Sequence, residues 1–118
     1  MSAISTHVLD TALGRPAAGV PVRLERVGEH GCTELGSAAT GTDGRIAELG
    51  PAQLEPGTYR LVFGTGAYAR AHRAEPPWQS ETAFFPEVTV TFTVPDHAAH
   101  YHVPLLLSPF GYTTYRGS

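Results

Sequence analysis

Short runs of alternating hydrophobic and polar residues, separated by glycine and proline, make up most of this chain. Alternation with a period of two places successive side chains on opposite faces of a β-strand, so the pattern predicts an all-β sandwich or barrel. The predicted strands are 4–10, 20–27, 33–39, 59–64, 87–94, 101–107 and 112–117, with a short additional strand at 45–48. An alanine-rich segment at 66–74 predicts one short helix that ends at Glu75-Pro76-Pro77.

Two of the predicted turns lie beside residues that could carry chemistry. In Thr42-Asp43-Gly44-Arg45 the glycine can adopt a positive φ, which predicts a tight turn directly before Arg45. Residues 108–111, with the sequence Ser-Pro-Phe-Gly, are predicted to join the last two strands as a hairpin with a four-residue loop.

Composition limits the class of protein. The chain of 118 residues suits one domain, residues 1–118. Its net charge of −3 excludes a basic stripe for nucleic acid, and its single cysteine, Cys32, excludes an intrachain disulfide. The longest apolar run, residues 103–107, is far short of the roughly 20 residues of a membrane span. Since no signal peptide is visible at the N-terminus, the expected location is cytoplasmic, with no membrane partner.

The first strand carries a histidine on the face that points away from the core. Alternation groups Ile4, Thr6 and Val8 as the core face and leaves Ser5 and His7 on the other. His7 is therefore predicted to face solvent or a partner.

The predicted strand at 101–107 presents an unusual face. His100 and His102 alternate with core-type residues, and the same face continues with Pro104 and Leu106. Such a face fits the lining of a cleft or an intersubunit channel, and it equally fits an ordinary strand edge with surface histidines. The spacing of the two histidines would also suit zinc if a third ligand folded close to them.

Arg45 and the C-terminal tail are the remaining candidates. Arg45 is either a solvated turn residue or an anion clamp, because a guanidinium binds substrate oxygens with paired donors. In the tail, alternation places Arg116 and Ser118 on one face and Tyr115 and Gly117 on the other, but it leaves open whether the last two residues stay in the sheet. The tail is either a salt-bridged staple or a segment that places the Ser118 hydroxyl in a site. The sequence has no Gly-x-Ser-x-Gly motif, so Ser118 is not predicted to be a nucleophile.

Three segments together resemble one family. They are Ser5-Thr6-His7-Val8-Leu9-Asp10 with the following Gly14-Arg15-Pro16-Ala17, then Thr42-Asp43-Gly44-Arg45, and finally residues 100–109 through the closing Tyr115-Arg116-Gly117-Ser118. From the first strand to the last residue, the chain resembles the transthyretin-related proteins, and among them the 5-hydroxyisourate hydrolases. The closing tetrapeptide is the most specific part of the resemblance, because the hormone-carrying transthyretins lack it.

The resemblance implies a sandwich of two four-stranded antiparallel sheets with one short helix. It also implies a homotetramer, a dimer of dimers, in which a central channel carries the active sites. The catalytic set that it implies is His7, Arg45, His102 and Ser118. The implied substrate contacts are these four residues together with Tyr115, Arg116, Gly117, Pro104 and Leu106. No catalytic role is carried over to His100, and no metal or cofactor is implied.

The activity implied is hydrolytic ring opening of 5-hydroxyisourate to 2-oxo-4-hydroxy-4-carboxy-5-ureidoimidazoline, a step of purine degradation. Histidine suits acid–base catalysis near neutral pH, so the hypothesis is that His7 and His102 share the proton transfers, in an order that the sequence leaves open. Ser118 would orient either the water or the substrate. Three alternatives are a transthyretin-like carrier of an aromatic ligand, a zinc hydrolase using His7, His100 and His102, and a purely structural adaptor, which would leave the motif matches unexplained.

Overall fold

Two β-sheets and one short α-helix form the part of the chain that the computed structural model describes, residues 2–80, 82–95 and 99–118. The strands are β1 Ile4–Asp10, β2 Arg15–Pro16, β3 Pro21–Gly28, β4 Gly31–Ala39, β5 Arg45–Leu49, β6 Gly57–Phe63, β7 Val88–Val94, β8 Tyr101–His102, β9 Leu105–Ser108 and β10 Gly111–Thr114. The helix α1 is Thr65–Ala71, and a 3-10 turn follows at Pro76–Trp78. The all-β class and the single short helix are confirmed.

One sheet has the strand order β4-β3-β6-β7, and every pair in it is antiparallel. The other is built around β1. The first half of β1 pairs with β5 on one edge and β8 on the other, and its second half pairs with β2 and β9. Strand β10 extends this sheet beyond β9.

The second sheet corrects the expected count of four antiparallel strands, because it has six strands and two of its pairings are parallel. The predicted strand at 101–107 is interrupted at residues 103 and 104, where Pro104 has no N–H to donate, so it becomes β8 and β9. Both run parallel to β1 along the same edge. The two-residue strand β2 supplies the other extra strand on the opposite edge. The sheet is thus four strand positions wide, with two of those positions divided.

The core lies between the two sheets. The largest fully buried side chains are those of Tyr59, Tyr68, Phe63, Ile4, Leu24, Leu49, Leu61, Leu105, Leu107, Val8, Val20 and Val22. One carboxylate, Asp10 at the end of β1, is buried among them. It accepts hydrogen bonds from the Tyr68 hydroxyl at 2.5 Å and from Trp78 Nε1 at 2.9 Å, so β1 is anchored to the helical segment. Burial and the bond to Asp10 raise the pKa of Tyr68 well above its usual value.

Three local predictions differ from the structure. The helix ends at Ala71 rather than at 74, because residues 72–75 form turns that lead into the prolines. The last hairpin has a two-residue loop, Pro109-Phe110, instead of four residues. The strand predicted at 112–117 ends at Thr114, and beyond it Gly117 makes an isolated bridge to His102. Among the described residues, no helix has the length and apolar character needed to cross a membrane.

Candidate active site

An open cleft of about 430 Å³ lies across β1, β5 and β8. It is lined by Ser5, Thr6, Arg45, Ile46, Ala47, Glu48, His100, His102 and Ser118. Three of the four residues predicted to be catalytic therefore line one cleft, and the fourth, His7, adjoins it through the register of β1.

Strand β1 positions the polar side chains. His7 lies directly opposite Arg45 in β5, and Ser5 lies directly opposite His102 in β8. Residues opposite one another in neighbouring strands project to the same face of a sheet, with antiparallel partners about 5 Å apart at Cβ. Ile4, Thr6 and Val8 alternate with Ser5 and His7 and are buried, so the polar pairs share the face that points away from the core. The predicted orientation of His7 is confirmed.

The turn at Asp43-Gly44 fixes two site residues together. Gly44 has φ +76°, and a Cβ at this position would lie 2.4 Å from the carbonyl oxygen of Val8. A glycine is therefore required on two counts, and the predicted positive φ is confirmed. The Asp43 carboxylate accepts a hydrogen bond from the backbone N–H of Arg45 at 3.0 Å, and the Asp43 carbonyl lies 3.0 Å from His7 Nε2. The same turn thus presents Arg45 and orients the His7 ring.

The bond to Asp43 determines which nitrogen of His7 is available. A carbonyl oxygen can only accept, so Nε2 carries the hydrogen and donates it. In the neutral ring this leaves the lone pair on Nδ1. His7 therefore meets any ligand through Nδ1.

His102 is half-buried, and its Nδ1 lies 2.8 Å from the Ser5 hydroxyl. Burial lowers the pKa of His102 below its usual value, and the charges of Arg45 and His7 lower it further. A lowered pKa keeps the imidazole neutral at neutral pH, which is the form that accepts a proton.

The tail reaches the cleft because Gly117 has no side chain. Its N–H donates to the carbonyl of His102 at 2.8 Å. A Cβ on Gly117 would lie 2.6 Å from Cδ2 of the His102 ring, so only hydrogen fits between the tail and the ring. With the tail packed in this way, Ser118 lines the same cleft as Arg45 and His102.

Besides His7, five residues that were predicted to contact substrate do not line this cleft in one chain: Tyr115, Arg116, Gly117, Pro104 and Leu106. Tyr115 and Arg116 line a separate depression, where the Arg116 guanidinium is 4.9 Å from the centre of the Tyr101 ring. Pro104 is buried at the break between β8 and β9, and Leu106 is half-buried in β9. Their contact with substrate stays a prediction.

Sequence reasoning assigned no role to Ser5, and it gave His100 a role only in the zinc alternative. The Ser5 hydroxyl lies 2.9 Å from His100 Nε2 and 2.8 Å from His102 Nδ1, and so joins the two rings. Alternation did place Ser5 on the face of His7, which was the available signal. Within residues 2–80, 82–95 and 99–118, no three histidine, cysteine or acidic side chains form a group that could hold a metal ion.

Comparison with known proteins agrees with this architecture. A family model described as "HIUase/Transthyretin family" matches residues 4–117. A relative from Mesorhizobium japonicum, named 5-hydroxyisourate hydrolase, is 47% identical over 117 residues, which are 98% of this chain and 91% of the relative. The solved structure of Klebsiella pneumoniae 5-hydroxyisourate hydrolase covers 100% of both chains with a TM-score of 0.80 and 40% identity. The structure of transthyretin from Sparus aurata covers 99% of this chain and 97% of its own, with a TM-score of 0.84 and 30% identity.

Proposed function

The chain belongs to the HIUase/Transthyretin family, and we propose that it hydrolyses 5-hydroxyisourate to 2-oxo-4-hydroxy-4-carboxy-5-ureidoimidazoline in purine degradation. The observation that carries the proposal is the meeting of Arg45, His102 and Ser118 in one cleft, with His7 paired to Arg45 in the same sheet. Full-length relatives named for this activity support the choice of substrate.

His102 is the proposed general base. Its lowered pKa leaves it neutral, and Nε2 is the ring nitrogen that is not engaged with Ser5. Nε2 takes a proton from water as the water oxygen bonds to a ring carbonyl carbon of the substrate. The bond from that carbon to the ring nitrogen then breaks, and the nitrogen leaves with a proton.

His7 is the proposed source of that proton. In its imidazolium form Nε2–H stays on the Asp43 carbonyl, so Nδ1–H is the group that can protonate the leaving nitrogen. One proton has entered at His102 and one has left at His7, and exchange with solvent restores the starting state. General acid–base assistance of this kind contributes about 10²–10⁴-fold.

Arg45 and Ser118 complete the proposed site. The Arg45 guanidinium offers paired donors to the carbonyl oxygen, which gains negative charge during attack. Ser118 orients the water or the substrate through its hydroxyl.

The same proposal includes a homotetramer, a dimer of dimers, in which Pro104, Leu106, Tyr115 and Arg116 contribute to a channel between subunits. Strand β10 is an edge strand, and Phe110 beside it is 72% exposed, which is typical of a surface that another chain covers. Light scattering should give four times the 12.6-kDa chain mass. A cytoplasmic site of action is also proposed, and the single, exposed Cys32 suits a reducing compartment.

The alternative is a carrier that holds an aromatic ligand, which the similarity to Sparus aurata transthyretin favours. The charged and titratable lining of the cleft favours hydrolysis. The test is the spectroscopic decay of freshly made 5-hydroxyisourate with wild type, His7→Ala and His102→Ala. Hydrolysis predicts faster decay with wild type and a loss of about 10²-fold or more in either variant. The matched control is His30→Ala, whose side chain is 96% exposed on the turn after β3.

A carrier would leave the spontaneous decay rate unchanged. Near-wild-type turnover by either variant would overturn the assignment of the acid–base pair.

A further inference from the structure

A chain of hydrogen bonds extends from His102 away from the cleft, through groups to which the proposed reaction assigns no role. His102 Nδ1 lies 2.8 Å from Ser5 Oγ, and Ser5 Oγ lies 2.9 Å from His100 Nε2. The other nitrogen of His100, Nδ1, lies 3.1 Å from the carbonyl oxygen of Ser2. The chain thus ends on a backbone group whose hydrogen-bonding role is fixed.

The Ser2 carbonyl determines the direction of every bond in the chain. A carbonyl oxygen only accepts, so His100 Nδ1 carries a hydrogen and the neutral ring has its lone pair on Nε2. The Ser5 hydroxyl must then donate to His100 Nε2. Having used its single hydrogen there, Ser5 Oγ accepts from His102, so His102 Nδ1 carries the hydrogen.

The opposite direction requires a different protonation state. Ser5 could donate to His102 Nδ1 only if His100 Nε2 also carried a hydrogen, which means a second proton on His100. With neutral His100, only one arrangement satisfies all four groups. His102 is then restricted to the tautomer whose lone pair is on Nε2.

We infer that Ser5 and His100 are positioning residues that hold His102 in its Nδ1–H tautomer. They keep Nε2 available to accept a proton from water, and His100 acts through Ser5 without touching the substrate. This role rests on the proposed function of His102 as the base. The position of Ser5 follows from the register, because Ser5 is the β1 residue directly opposite His102.

Steady-state kinetics should separate positioning from binding. Ser5→Ala removes the link and should lower kcat about 10–100-fold, the range found when the hydrogen-bond partner that orients a metal-ligating histidine is removed. KM should stay nearly constant. Ser5→Thr keeps a hydroxyl and should recover most of the activity. His100→Ala should resemble Ser5→Ala, whereas His100→Gln, which can still accept from Ser5 through its amide oxygen, should retain more activity.

The direct readout is nitrogen NMR of the histidine rings at pH 8 without substrate. Wild type should show the hydrogen of His102 on Nδ1, while Ser5→Ala and His100→Ala should show a mixture of the two tautomers. His30→Ala is the control and should leave the His102 signals and kcat unchanged. A wild-type ring with its hydrogen on Nε2 would overturn the inference even if no variant folded.

A Ser5→Ala protein with an unchanged tautomer and unchanged kcat would overturn it as well. Because the NMR measurement needs no substrate, it is independent of the proposed activity. Failure of wild type to accelerate 5-hydroxyisourate decay would remove the proposed function while the tautomer result still stood.

Discussion

Replacing Gly117 with alanine tests the closest packing in the site. The backbone of Gly117 does not have a positive φ, so alanine introduces no backbone strain there. The added Cβ would lie 2.6 Å from Cδ2 and 3.3 Å from Cγ of the His102 ring. Carbon atoms in ordinary contact are about 3.5–4.0 Å apart, so the ring or the tail must move by about 1 Å.

Such a movement should greatly lower the rate of hydrolysis and should hardly change the melting temperature. A displacement of about 1 Å in a reacting group can reduce the rate about 10²-fold, which equals about 2.7 kcal/mol of transition-state stabilisation. If the ring yields, the base moves away from the water. If the tail yields, Ser118 leaves the cleft and the Gly117 N–H loses its bond to the His102 carbonyl. The melting temperature should change little, because the tail is exposed on both sides of Gly117.

The assay is kcat/KM for 5-hydroxyisourate, measured against spontaneous decay. The matched control is Gly111→Ala, at the start of β10, where an added Cβ would meet its nearest atom, Ser108 Oγ, at an ordinary 3.6 Å. Hydrogen exchange of the residue-117 amide would show whether the ring or the tail moved. If Gly117→Ala kept kcat/KM within about threefold of wild type, as the control should, packing of the tail on His102 would not govern activity.

Four further predictions concern the same site. Arg45→Gln removes a charge that lowers the pKa of His102, so that pKa should rise and the acid limb of kcat/KM should move to higher pH; an NMR titration of His102 with an unchanged midpoint would contradict this. Gly44→Ala should destabilise the fold by about 1–3 kcal/mol more than Gly14→Ala in urea unfolding, because both positions have positive φ but only Gly44 faces a backbone oxygen; equal losses would argue against the clash. Deleting residues 116–118 should abolish hydrolysis and leave the circular dichroism spectrum of the sandwich, whereas full activity would exclude a role for the tail. Activity should survive exhaustive chelation, and its loss would favour the zinc alternative.

Alternation in β1 was sufficient to predict the orientation of His7, because that strand is regular from Ile4 to Asp10 and one of its faces is buried. The tight turn at Thr42-Asp43-Gly44-Arg45 was also predictable from sequence, because a glycine that follows aspartate is typical of a turn position with a positive φ. These two features are local. Each depends only on residues a few positions apart.

The incorrect predictions assumed that regular alternation continues beyond the ends of the strands. Pro104 was placed on the face of His102 as though 101–107 were one strand, but the strand breaks there and Pro104 is buried. The last strand was predicted to run to residue 117, yet β10 ends at Thr114; the destination of Arg116 and Ser118 was left open, and their side chains diverge to Tyr101 and to the cleft. Alternation holds only where ladder hydrogen bonds hold the chain extended.

The contact between Gly117 and His102 could not be derived from sequence, because it joins residues on two segments whose approach depends on the whole sheet. The same is true of the hydrogen-bonded series that joins the Ser2 carbonyl, His100, Ser5 and His102. Its members were visible as four ordinary polar residues, and only the pairing of β1 with β8 shows that Ser5 lies between two imidazoles.

The two histidines are anchored through different nitrogens, and this difference supports a division of labour between them. Asp43 binds Nε2 of His7, while Ser5 binds Nδ1 of His102, so the nitrogens left for substrate are Nδ1 and Nε2 respectively. Both anchors depend on the register of β1, because Asp43 belongs to the turn that starts β5 and Ser5 belongs to β1 itself. A slip of β1 by one residue would turn His7 and Ser5 to the core face, so His7 would lose Asp43 and His102 would lose Ser5. The strand pairing therefore sets the positions of the two rings and also which nitrogen of each can take part in proton transfer.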